Sequence, residues 1–140
     1  MKFSTRTRYG IRAILEIAIN ENGTGVYQKD IAINQKLSNK YLDHIISSLK
    51  IAGLICNVKG KKSGYILTKS PEQITMLDIH NAFEPQICVV ECLSGIFECE
   101  MQSSCVTQEF WQGLNNQIED YLKGVSLADL LKKHQSVNVS

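Results

Sequence analysis

Along the first eighty-odd residues, apolar positions fall into four helical repeats and one alternating pair. Ile11, Ile14, Leu15 and Ala18 recur at helical spacing and predict an amphipathic helix from Ser4 or Thr5 to about Asn20. The turn-rich stretch Glu21-Asn22-Gly23-Thr24-Gly25 follows. Gln28 to Gln35 gives a short helix with Ile31 and Ala32 inward, and Leu37 lies in the turn after it. Ser38 is placed as the N-cap of the next helix, where Leu42, Ile45, Ile46 and Leu49 make one buried face. On the opposite side Lys40, Asp43, His44 and Ser47 keep the same spacing as a polar stripe, and Gly53 ends the helix. Leu54 to Val58 and Tyr65 to Thr68 alternate as two strands, with Leu54, Cys56 and Val58 inward, joined by Lys59-Gly60-Lys61-Lys62-Ser63-Gly64. Helix, turn, helix and basic hairpin in that order are a helix-turn-helix with a wing, and the polar stripe is free to enter a DNA major groove.

After Ser70-Pro71 a short helix has a clear start: Thr75 caps it, Asp78 sits at the capping-box position, and Ile74 can staple onto Ile79. It should end between Phe83 and Pro85. From Pro85 to Ser104 no helical or strand period is visible, and a run of that kind inside a compact domain is functional or disordered. Its apolar residues, among them Ile87, Val90, Leu93 and Phe97, argue against simple disorder. A long helix begins at Thr107 with Phe110, Trp111, Leu114, Ile118, Tyr121 and Leu122 at helical spacing. It follows a head that can close without it, and reads as a dimerisation helix. Gly124 breaks it, Ser126-Leu127-Ala128-Asp129 starts a short last helix, and Gln135 to Ser140 reads as a frayed tail. The expected fold class is mainly α with a small β-hairpin wing (α+β). The expected divisions are a DNA-binding head at 1–84, a cysteine-containing sensor loop at 85–106, dimerisation and terminal helices at 107–134, and a tail at 135–140.

Charge sharpens this picture. The 140 residues carry a net +1, but residues 1–70 hold twelve Lys and Arg against four Asp and Glu, whereas residues 71–140 hold three against ten. A half at +8 joined to a half at −7 suggests a polyanion for the first half only, double-stranded DNA given the geometry. Arg6, Arg8 and Arg12 load the early turns of the first helix, where cations oppose the helix dipole, which points to an external phosphate. No apolar run approaches the roughly 18 residues of a membrane span. The N-terminus lacks the apolar segment of a secretory signal, so a cytoplasmic protein is expected.

Four of the five cysteines, Cys88, Cys92, Cys99 and Cys105, fall within eighteen residues. Structural zinc usually takes paired ligands two to four residues apart, whereas six residues separate Cys92 from Cys99 and five separate Cys99 from Cys105. The wider gaps suit an iron–sulfur cluster held by thiolates. A thiol redox switch or unrelated thiols are the alternatives. His80 reads as a surface or packing histidine rather than a ligand. No nucleophile–base constellation is present, and an electron carrier or small metalloenzyme would leave the basic face unexplained.

Several segments together resemble a known family. They are Met1-Lys2-Phe3-Ser4-Thr5-Arg6-Thr7-Arg8-Tyr9-Gly10, Leu37-Ser38-Asn39-Lys40-Tyr41-Leu42-Asp43-His44, Val58-Lys59-Gly60 with Gly64-Tyr65, the cysteine loop, and Val125-Ser126-Leu127-Ala128-Asp129-Leu130. Nearly the whole chain is similar to the winged-helix regulators IscR, NsrR and CymR. The resemblance implies a homodimeric transcription factor with crossing C-terminal helices, a roughly palindromic operator, and a cluster on Cys92, Cys99 and Cys105. The IscR-type histidine three residues after the last cysteine is replaced by Gln108, and the NsrR-type N-terminal acid by Arg8. The fourth ligand is open among Cys88, Glu91, Glu98, Glu100, Gln108, His80 and an exogenous group, with Cys88 chemically simplest and the cluster type, two-iron or four-iron, undecided. CymR-type members lack these cysteines, which keeps open a cluster-free repressor controlled by thiol oxidation or a partner protein. The expected DNA-binding residues are Ser38, Asn39, Lys40, Tyr41, Asp43, His44, Lys59, Lys61 and Lys62. Tyr41 and Lys59 match the IscR-type pattern, while Asp43 and His44 stand where IscR has Glu and Gln.

Overall fold

The computed structural model of the protein describes residues 3–21, 23–58, 64–90, 93 and 106–138. Helix α1 spans Thr5–Ile19, and Ser4 caps it by accepting from the Thr7 N–H at 3.1 Å. Helix α2 (Gln28–Gln35) and helix α3 (Asn39–Ile51) follow. Between them Lys36 adopts the left-handed conformation, with φ 56° and ψ 47°. The N–H groups of Lys36 and Leu37 bond back to the carbonyls of Ile33 and Ala32 at 3.3 and 2.9 Å, the double closure of a Schellman turn with lysine where glycine is usual. Gly53 closes α3 in the same way at φ 76°, with Leu54 N–H on the Leu49 carbonyl at 3.0 Å.

Strands β1 (Ile55–Asn57) and β2 (Tyr65–Leu67) pair antiparallel with Ile55 opposite Leu67, Cys56 opposite Ile66 and Asn57 opposite Tyr65. Ile55 and Leu67 are buried, so theirs is the inward face, and Cys56 lies half-buried on the other face with Ile66. The sequence placed Cys56 inward. The alternation is one residue out of phase with that reading because the chain enters the strand from the tight turn at Gly53 with Leu54 and Ile55 both buried. A bridge between Val26 and Tyr65 adds a third edge to the hairpin. There Gly25, at φ 78°, meets Gly64 backbone to backbone, and a Cβ on Gly64 would lie 2.5 Å from the Gly25 carbonyl carbon.

Helix α4 (Met76–Phe83) opens with the expected capping box: Thr75 Oγ1 accepts from Asp78 N–H at 3.1 Å, and Asp78 accepts from Thr75 N–H at 3.0 Å. Helix α5 covers Val106–Gly124 and helix α6 Leu127–Asn138. The α5–α6 junction docks on the start of α4, through Met76 N–H to the Val125 carbonyl (2.9 Å) and Leu127 N–H to the Ile74 carbonyl (2.8 Å). One core therefore gathers Ile14 and Ile17 of α1, Ile31 of α2, Leu42, Ile45 and Leu49 of α3, Ile79 of α4 and Leu127 of α6. The head seals its core with a residue from the far end of the chain. Helix α6 also continues through 135–138, where the sequence suggested a frayed tail.

Gly10 of α1 lies against the ring of Phe83, and a methyl group there would overlap the ring. Gly10→Ala should therefore destabilise the fold by about 1–3 kcal/mol, the usual cost of forcing atoms into a filled core. Urea unfolding of the two proteins measures the difference directly.

Candidate nucleic-acid interface

Helix α3 turns one side to the core and the other outward. Leu42, Ile45, Ile46 and Leu49 are buried, while Asn39, Lys40, Asp43, His44 and Ser47 are exposed. Ser38 accepts from the Tyr41 N–H at 3.1 Å, so its hydroxyl caps the helix. The ring of Tyr41 is half-buried and meets Tyr9 of α1 edge-on at 5.7 Å. Asp43 accepts from the Gln28 side-chain amide at 2.5 Å.

The hairpin is tied to the end of the same helix. Lys50 Nζ donates to Asn57 Oδ1 at 3.1 Å and lies 5.8 Å above the centre of the Tyr65 ring. The wing residues expected to touch DNA, Lys59, Lys61 and Lys62, lie outside the described residues.

Between α1 and α2, a polar cluster that sequence reasoning missed fixes one helix against the other. The buried Glu16 carboxylate accepts from three amides: Asn20 Nδ2 at 2.9 Å, Asn34 Nδ2 at 2.7 Å and Gln35 Nε2 at 2.8 Å. Arg12 donates to Gln35 through Nε to Oε1 at 2.9 Å and through a terminal nitrogen to the main-chain carbonyl at 2.6 Å, while stacking on Tyr9 at 5.1 Å. That carbonyl is one of the last of α2, so Arg12 is placed as a cation at a helix C-terminus. Arg12 is exposed, but its guanidinium also bonds to Gln35 and stacks on Tyr9, contacts within the protein that the sequence reading did not include. Arg6 and Arg8 are exposed as well. The available signal was the spacing of Glu16, three residues after Ala13 and four before Asn20, which puts the acid and one of its donors on one helix face.

At the other end of the head, His80 is 4% exposed, with Nε2 3.2 Å from Glu84 Oε2 and Nδ1 3.2 Å from Asn81 Oδ1. Both ring nitrogens have partners and the ring is buried, the packing rather than the surface alternative read from sequence. Of the four clustered cysteines, Cys88 alone is described: it is half-buried, with Sγ 2.8 Å from the Val90 carbonyl. Cys88 and Leu93, with Gln112, Asn115 and Glu119 of α5, line a cavity of about 400 Å³. Cys92, Cys99 and Cys105 lie outside the described residues, and among those described no three His, Cys, Asp or Glu side chains converge as for a metal ion.

The exposed polar face of α3 beside a hairpin defines a winged helix-turn-helix DNA-binding protein. The chain belongs to the Rrf2 family, whose model, described as an iron-dependent transcriptional regulator, matches residues 3–133. It is 30% identical to the HTH-type transcriptional regulator IscR of Aliivibrio salmonicida over 140 residues, covering 100% of this chain and 83% of that protein. The structure of T. potens IscR matches with a TM-score of 0.78 at 31% identity, covering 100% of this chain and 93% of that one. That of CymR (YrzC), the global cysteine regulator of B. subtilis, matches with a TM-score of 0.78 at 30% identity over 95% and 98% of the two chains. The protein is a transcriptional regulator of the Rrf2/IscR type and not an enzyme. Among the described residues no helix is long and apolar enough to cross a membrane.

One consequence concerns acid stability. Burial pushes the Glu84 carboxyl up, but the Ser4 N–H and hydroxyl, the Thr7 hydroxyl and His80 together outweigh it and hold the group below the usual carboxylate range. A carboxyl depressed on folding adds stability above its unfolded value, near 4.5, and loses it as pH falls through the folded value. Glu84→Gln should therefore lower stability at neutral pH and flatten its decline between about pH 5 and about pH 3. Urea titrations at stepped pH read both effects, and parallel curves for the two proteins would contradict the assignment.

Proposed function

We propose that the protein is a homodimeric, cytoplasmic regulator that reads a roughly palindromic operator with α3 and the wing, its affinity set by an iron–sulfur cluster in the cysteine segment. The observation that carries the DNA half is the two-sided α3: a buried apolar stripe opposite an exposed row of Asn39, Lys40, Asp43, His44 and Ser47. An exposed carboxylate at Asp43 can accept from cytosine N4, while Ser38, Asn39, Lys40 and Tyr41 anchor phosphate or reach base edges. His44 adds a base-edge contact beside Asp43. Lys59, Lys61 and Lys62 supply charge at the wing tip for the backbone or the minor groove.

Dimerisation rests on α5, where Phe110 (62% exposed), Leu114 (39%) and Tyr121 (72%) share the side facing away from the buried Asn115. A second copy covers that face, and two heads then address half-sites about one helical turn apart.

For the cluster, the donor set fits: Cys92, Cys99 and Cys105 would hold it, with Cys88 as the fourth thiolate. The support is placement, since Cys88 lines one cavity with Leu93, the residue that follows Cys92. A bound cluster supplies a centre that responds to oxidants and to iron supply. Operator affinity then depends on whether these thiolates tie the segment after α4 to the start of α5. The likeness to CymR supports a second reading, a cluster-free repressor controlled by thiol oxidation or by a partner protein.

Two experiments separate the parts. Asp43→Ala should relax one base position by about 1–3 kcal/mol, whereas Lys59→Ala should weaken binding to every sequence and lower the salt slope by about one. Equal effects of both on specific and random duplexes would contradict these roles. Protein prepared without oxygen should be coloured, and Cys92→Ala, Cys99→Ala and Cys105→Ala should each lose the colour with matched loss of iron and sulfide. A colourless parent whose DNA binding depends on reductant would instead establish the thiol reading.

A further inference from the structure

Gln28, the first residue of α2, makes an unusual reach across the helix-turn-helix. Its Nε2 donates to Asp43 Oδ1 at 2.5 Å and lies 3.3 Å from the main-chain carbonyl of Asn39, so one amide group touches both the first turn and the second turn of α3. Both partners are acceptors only, which fixes the orientation of the amide: turned over, its oxygen would face a carboxylate and a carbonyl. Asp43 is otherwise an exposed side chain with free rotation about its bonds, and a freely rotating carboxylate pays rotamer entropy each time it reads a base. Held at Oδ1, it presents Oδ2 as the remaining acceptor.

The anchor of Gln28 is itself rigid. Tyr27, just before it, accepts from Asp30 and Ile31 N–H at 3.0 and 3.2 Å, and Val26 is doubly bonded to Tyr65 of the wing at 2.9 and 2.8 Å. The amide therefore stands on the same backbone that carries the hairpin.

We propose that Gln28 is a specificity-positioning residue: by fixing one oxygen of Asp43 it sets the other to accept from a cytosine amino group in the major groove. This rests on Asp43 reading a base, as argued above. The free energy saved is that of one side-chain hydrogen bond, so the effect on discrimination is modest, roughly threefold to tenfold.

The test uses the full-length chain and a randomised duplex library, from which bound sequences are selected and counted for the parent, Gln28→Leu, Asp43→Ala and the double variant. Asp43→Ala should relax one base position. Gln28→Leu, which keeps the side-chain volume and removes the donor, should reduce discrimination at that same position by roughly threefold to tenfold while leaving affinity for random duplex unchanged. In the Asp43→Ala background it should add nothing, because it acts only through Asp43. Gln28→Glu, which sets a second carboxylate against Asp43, should lose more discrimination than Gln28→Leu, whereas a purely structural role would follow thermal stability instead. If Asp43→Ala relaxes a position and Gln28→Leu leaves it sharp, the Gln28 assignment is wrong and the Asp43 reading stands. If Gln28→Leu has the same effect with and without Asp43, Gln28 touches DNA itself and the positioning role is overturned. If Asp43→Ala relaxes nothing, both fall together.

Discussion

Leu42, Ile45, Ile46 and Leu49 are almost wholly withdrawn from solvent, and that burial fixes the rotation of α3 about its axis. Each such side chain is worth about 1.5–3 kcal/mol when fully buried, an upper bound because the unfolded chain already hides some of it. Rotating α3 by one residue would expose most of that surface and bury Lys40 or Asp43 in exchange, so the polar face has one outward setting. The polar contacts around it, at about 1 kcal/mol each, tune the helix rather than place it. What they do is link neighbours. Arg12 and Glu16 clamp the C-terminal end of α2 to α1, Gln28 joins the N-terminal end of α2 to α3, and Lys50 joins α3 to the wing.

The same core makes the head depend on the end of the chain. Leu127 is fully buried among residues of the head, and its N–H bonds to Ile74 just before α4. Because α5 leads directly into that contact, any change in how α5 sits is passed to α4, against which Gly10 and Phe83 hold α1. A sensor lying between α4 and α5 is therefore well placed to act on a reading head without touching DNA.

Regular periodicity was the legible part. The stripe of α3, the Ser38 and Thr75 caps and the Gly53 stop could be read directly because each is a local rule acting within one turn, whereas the stripe of α1 was read partly out of phase, with Ala13 and Ile17 buried where Ile11 and Leu15 were expected. Contacts between distant segments could not. Glu16 gathers donors eighteen and nineteen residues away, and Leu127 enters a core formed mostly by residues before 84. The phase of β1 was missed for a related reason: only three residues are paired, and Leu54 and Ile55 are both buried, so alternation carried too little information to assign Cys56. Of the site, the exposure of the α3 stripe was legible. The commitment of Arg12 to Gln35 and the hold of Gln28 on Asp43 were not, because both depend on the angle between helices.

The most direct test of the account is operator affinity measured on a single oxygen-free preparation, before and after its iron is removed by a chelator, with iron and sulfide assayed on the same samples. A regulator whose cysteine segment governs its reading head predicts matched iron and sulfide at the start, and a change of at least several-fold in affinity for the selected operator with random-duplex binding unaltered. Iron and sulfide at the start with the same operator affinity afterwards would contradict cluster control while leaving the DNA-reading face in place.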